Sequence, residues 1–132
     1  MEYWGEVGLA TLPRDRWGAL GLYPEDARDF ESQGSVWSAP IQLPAGGCQV
    51  VLNADHVGRM TVEVSDPQFN LLPEYSGDRS GKSDKESGLD CPIAFAAGNL
   101  SALGGKTVRF RVHMKKEGGS NPRLYAVYLR SL

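Results

Sequence analysis

The chain has 132 residues, 41% apolar and 23% charged, with a net charge of -2. That length suits one domain, residues 1–132, burying about two-thirds of its unfolded surface without a metal or disulfide framework. The charge speaks against a nucleic-acid binder, whose phosphate contacts call for a basic excess, and no apolar run approaches the ~20 residues of a membrane-spanning helix. No basic stretch followed by an apolar one marks a signal peptide. Met1 followed by Glu2-Tyr3-Trp4 reads as a start placed on an excised domain, so location is expected to follow a parent protein.

Sixteen glycines and eight prolines interrupt the chain too often for long helices. Residues 6–12 and 16–22 read as two short strands separated by Pro13-Arg14-Asp15. Residues 35–43 form the next, with Trp37, Ala39, Ile41 and Leu43 expected inward. Pro40 then falls on the outer phase and implies an edge strand or a bulge, since proline cannot donate to a ladder. After the Pro44–Gly47 turn, residues 48–54 are apolar enough for a central strand, and His56-Val57-Gly58 suggests a tight hairpin into residues 59–64. There Met60, Val62 and Val64 alternate with Arg59, Thr61 and Glu63. Residues 91–95 make a short strand and 99–103 one helical turn. The clearest period of two runs over residues 106–114, where Val108, Phe110, Val112 and Met114 alternate with Thr107, Arg109, Arg111 and His113. A turn at 118–122 leads to a closing strand at 123–130. About eight strands with tight turns predict an all-β fold, a two-sheet antiparallel β-sandwich of jelly-roll-like form. Two long connections, 23–33 and 66–90, are the places where function or mobility is expected.

Few strings carry chemistry. Gly77-Asp78-Arg79-Ser80-Gly81-Lys82-Ser83 is close to a phosphate loop. It has one residue too few between its glycines, and neither a strand before it nor a helix after it. The same connection holds Asp66, Glu74, Asp78, Asp84, Glu86 and Asp90. Catalytic carboxylate pairs need a rigid cleft. Calcium, which takes several oxygen ligands, is the better functional reading of these acids, but no D-x-D-x-D-G pattern is present and a solvated loop is the simpler expectation. His56 and His113 lack a metal-ligand spacing, and no G-x-S-x-G elbow occurs. Cys48 and Cys91 are expected to be small buried hydrophobes, with one disulfide as the alternative.

Two surface features point to binding. Arg109, Arg111 and His113 share one outward face of a strand and suit an anionic ligand, such as a uronic acid or a sulfate. The plainer expectation is a charged row paired across the sheet with Glu63. The loop aromatics Trp17, Tyr23, Phe30, Phe69 and Tyr75 would stack on sugar C–H faces or staple the loops down. Trp17, beside Arg14, Asp15 and Arg16, is the leading candidate, followed by Tyr23.

Four strings, in order, resemble the β-sandwich module C-terminal to bacterial sialidase-like and invertase-like glycosidases. They are Gly8-Leu-Ala-Thr-Leu-Pro-Arg-Asp15, Gly58-Arg-Met-Thr-Val-Glu-Val-Ser-Asp66, residues 100–113 (LSALGGKTVRFRVH) and Leu124-Tyr-Ala-Val-Tyr128. The likeness spans nearly the whole chain, although 23–33 and 76–88 look longer than usual. It implies a jelly-roll-like sandwich without catalytic residues, in a secreted, extracellular or periplasmic, polysaccharide-degrading parent. The expected partners are a polysaccharide or the parent's catalytic domain. A binding role would rest on Trp17, Tyr23, Tyr75, Arg109, Arg111 and His113; the alternatives are a structural accessory domain and a small lyase or hydrolase.

Overall fold

The structure is a computed structural model, and it describes residues 9–22, 32–117 and 121–132. Tyr23, Phe30, most of the 23–33 connection, the start of the strand expected at 6–12 and much of the 118–122 turn lie outside the described residues. Among the described residues, eight strands follow in chain order: β1 (Leu20–Gly21), β2 (Gln33–Trp37), β3 (Ile41–Gln42), β4 (Cys48–Asp55), β5 (Met60–Ser65), β6 (Gly88–Pro92), β7 (Thr107–Lys115) and β8 (Arg123–Ser131). All pairings between them are antiparallel.

The first sheet has the order β1-β8-β4-β6. In the second, β7 is central, with β2 and β3 end to end along one side and β5 along the other. Gly81 bridges to Val62 on the outer side of β5 and supplies the rudiment of a further strand. From β3 onward the chain changes sheet at every connection. That alternation is the jelly roll, and it confirms the all-β sandwich.

The core lies between the sheets. β4 sends Cys48, Val50, Leu52 and Ala54 inward, β5 sends Met60, Val62 and Val64, and β7 sends Val108, Phe110, Val112 and Met114. Each fully buried large aliphatic side chain contributes about 1.5–3 kcal/mol. The tight approach of the turn before β4 depends on Gly47. Its φ is +82°, and a Cβ there would sit 2.6 Å from the Leu100 carbonyl oxygen.

Three expectations are corrected. First, residues 56–59 are no hairpin. Both edges of β4 are already taken, by β6 and β8, so the chain turns through Val57–Arg59 and crosses to the other sheet. Second, the strand expected at 35–43 is two strands. Ser38 pairs with Phe110 and Ile41 with Val108, so Ala39-Pro40 holds one residue more than the partner strand. The extra residue reverses the inside–outside phase: Trp37, opposite Arg111, faces outward while Ile41 and Leu43 turn to the core. Third, residues 16–22 form only the two-residue β1.

Cys48 and Cys91 are both free and buried. Cys91 pairs with Leu52, four residues along β4 from Cys48. At about 3.4 Å per residue that offset is far longer than a disulfide spans. Desolvation raises both thiol pKa values above the ordinary range.

Candidate functional site

The two sheets carry their outward residues very differently. On the first sheet an irregularity at Asn53/Ala54 leaves β8 with an extra residue opposite β4. Leu124, Val127 and Leu129 thereby stay opposite inward residues of β4, while Tyr125 and Tyr128 share the outer face. Residues 13–16 lie across that face as a strap. The Arg16 guanidinium stacks over Tyr125 at 4.2 Å, donates to Asn53 Oδ1 at 3.0 Å and pairs with Asp55 at 3.1 Å. Arg14 stacks over Tyr128 at 4.9 Å and pairs with Asp90 at 2.7 Å, a carboxylate that Arg130 also engages. Asn53 Nδ2 donates back to the Arg14 carbonyl at 2.7 Å, and Asn53 is fully buried. The Arg14 contact holds the Asp90 carboxyl below its usual range, and Asp90 in turn raises the guanidinium pKa.

The outer face of the second sheet is accessible along β2 and β7, whereas Glu63 and Ser65 of β5 are buried. Its middle row is Arg109, Arg111 and His113 on β7, as the period of two predicts. Ser35 and Trp37 of β2 stand opposite His113 and Arg111 on one side. Thr61, Glu63 and Ser65 of β5 stand opposite His113, Arg111 and Arg109 on the other. Arg111 donates to Glu63 Oε1 at 3.3 Å and to Ser35 Oγ at 3.0 Å, and lies over the Trp37 ring at 5.6 Å. The cross-strand pair expected for Glu63 is therefore present. His113 Nδ1 lies 2.7 Å from the same Ser35 hydroxyl.

At the end of the row a short loop adds a second ring. Asp66 Oδ1 accepts from the amides of Gln68 and Asn70, each at 2.9 Å, and Oδ2 accepts from Asn70 Nδ2 at 3.0 Å. The Asn70 contacts lower the Asp66 pKa. This clamp holds Phe69 at φ +66°, a left-handed conformation that a bulky residue adopts only when its surroundings impose it. Phe69 is 52% exposed as a residue, and its ring meets Trp37 edge to face at 5.2 Å, with the Arg109 guanidinium 4.1 Å above it. Trp37, Phe69, Arg109 and Arg111 thus form one aromatic and cationic platform beside Ser35 and His113.

The other expected site residues fall elsewhere. Trp17 is 87% exposed, but it follows the strap on the first sheet, and its neighbours Arg14, Asp15 and Arg16 are bonded to that sheet. Tyr23 lies outside the described residues. Tyr75 is a correction: it is only 5% exposed and packs edge to face on Phe95 at 5.7 Å. It is buried because residues 66–90 are not the open loop expected. They fold through turns at Pro73–Tyr75 and Gly77–Arg79 and bridge to β5 at Gly81 and Leu71. Their carboxylates are dispersed, and no three metal-ligating side chains converge among the described residues. The segment resembling a phosphate loop is a short turn closed by Ser80 Oγ on Gly77 O.

Trp37 is the residue missed. The alternation of Gln33, Ser35 and Trp37 with Gly34 and Val36 carried the signal, hidden by extending the phase of Ile41 and Leu43 back through Pro40. Compared with known proteins, the chain matches no family model, no curated protein and no solved structure.

Proposed function

We propose that this domain is a non-catalytic carbohydrate-binding module of a secreted polysaccharide-degrading enzyme, with the sugar held on the outer face of the second sheet. The reading rests on one observation. Phe69 is kept in a strained backbone conformation, half exposed as a residue, with its ring against Trp37. An aromatic ring held out of the core at the expense of backbone strain fits a stacking role. The Ser35 hydroxyl, the His113 imidazole and the arginines beside it supply the directional polar contacts that orient a sugar. In the parent, the module acts by keeping the enzyme near its polymer.

The test is affinity gel electrophoresis of the domain against a panel of neutral, uronic and sulfated polysaccharides. At least one polymer retards the chain, and Trp37→Ala and Phe69→Ala each abolish the retardation while Trp17→Ala does not. An unretarded chain across the panel sinks the reading.

A second reading, a structural accessory domain, draws on the mouth between the two sheets. Leu20 and Val127 are exposed apolar residues there. Beside them, between β1, β8 and the β2–β3 edge, opens an apolar cleft of about 600 Å³. On this reading those residues pack against the catalytic domain of the parent, and deleting the module lowers the parent's thermal stability without altering its affinity for substrate.

A further inference from the structure

Stacking groups alone suit a sugar of any charge, and the inference drawn here deepens the binding reading by naming the charge of its ligand. The two arginines of the platform are not equivalent. Arg111 is matched by Glu63. Arg109 has no carboxylate within ion-pair distance among the described residues. Its Nε donates to the Pro67 carbonyl at 2.9 Å, its Nη1 to the Ser38 carbonyl at 3.1 Å, and its flat face rests on Phe69. Asp66, nearest in the adjoining loop, turns its carboxylate into that loop.

Three neutral partners thus fix a permanent positive charge, partly buried, in one orientation, and none of them takes its Nη2. On the first sheet, by contrast, Arg14 and Arg16 each close on a carboxylate. A guanidinium stays charged at any physiological pH, and its planar fork matches a carboxylate. Partial desolvation strengthens whichever anion reaches it.

We propose that the platform binds an acidic saccharide, a uronic acid unit whose carboxylate pairs with Arg109 while its ring packs against Phe69 beside Trp37. Glu63 is paired with Arg111, whereas Arg109 is paired with no carboxylate among the described residues, which leaves it to meet the one carboxylate of each sugar. Densely sulfated chains would set several charges against the Glu63 carboxylate and the Ser38 and Pro67 carbonyls.

The experiment is isothermal titration of the chain with polygalacturonate and alginate, with the same two polymers after esterification of their carboxyls, and with a sulfated galactan. Esterification removes the charge and keeps the ring. The acid forms bind about tenfold or more tightly than their esters, as expected for a hydrogen-bonded charge pair. Arg109→Gln removes that difference, and Arg109→Lys recovers part of it. Sodium chloride weakens binding of the acid form by the unaltered chain, a readout that needs no substitution.

Equal affinity for acid and ester, tighter binding of the sulfated polymer, insensitivity to salt, or a preference that survives Arg109→Gln each overturns the inference while the binding role stands. Failure of every polymer to bind, or binding unchanged by Trp37→Ala, overturns the binding role as well.

Discussion

Both outer faces of this sandwich lay arginines on aromatic rings, yet one is crossed by a strap and the other is left accessible along β2 and β7. On the first sheet, Arg14 and Arg16 cover Tyr128 and Tyr125 and end on Asp90 and Asp55. Val51 and Asn53 on that face are fully buried, and Asn53 bonds both Arg16 and the Arg14 carbonyl. On the second sheet, Arg109 covers Phe69 but ends on backbone carbonyls, and Phe69 is half exposed. The same pairing of residue types therefore serves closure in one place and presentation in the other. What separates Arg109 from Arg14 and Arg16 is whether the chain provides a carboxylate for the charge.

The comparison breaks first at Asn53. Asn53→Ala leaves the Arg16 Nε and the Arg14 carbonyl without their buried partner, and stability falls by about 3 kcal/mol in urea denaturation. Saccharide affinity is unchanged, because the strap is not the binding face. A loss of stability too small to measure would mean that the strap is merely laid on the sheet. Phe69→Gly gives the mirror result. Glycine accepts the positive φ freely, which offsets about 1 kcal/mol of the lost ring contacts, so stability changes little. Affinity for the retained polysaccharide drops at least about tenfold with the stacking ring gone.

Acid sharpens the contrast further. The Asp90 and Asp66 pKa values are both depressed in the folded chain, by Arg14 and Asn70 respectively. Between each folded value and the ordinary aspartate pKa of about 3.9, the unfolded chain holds more protons than the folded one. Their contribution is complete above the ordinary value and is lost as pH falls through the folded one. Asp90→Asn therefore flattens the acid limb of a stability–pH profile without touching binding, whereas Asp66→Asn flattens it and also weakens binding by loosening Phe69. The smallest effect is expected at Arg14→Ala. Its ion pairs are exposed, so the change in thermal midpoint is slight and shrinks further in high salt.

Much of this was legible in the chain. The alternation of Val108, Phe110, Val112 and Met114 with Arg109, Arg111 and His113 named both the inward set of β7 and the cationic row of the second sheet's outer face. The Glu63 partner followed from the same logic applied to β5. Less legible were the aromatics. Tyr75 looked like a loop residue and is core, and Trp37 looked like core and faces out. Each error has a local cause: a connection folded back by bridges to β5, and one extra residue at Ala39-Pro40.

By itself, then, the sequence determined which segments extend and which side of β4, β5 and β7 is apolar, because side-chain alternation is a property of consecutive residues. Only the tertiary structure decided that β5 pairs with β7 instead of β4, that Arg14 and Arg16 seal one sheet, and that Phe69 stands beside Trp37 under Arg109. Those outcomes depend on free strand edges and on partners separated by tens of residues, which no local period encodes.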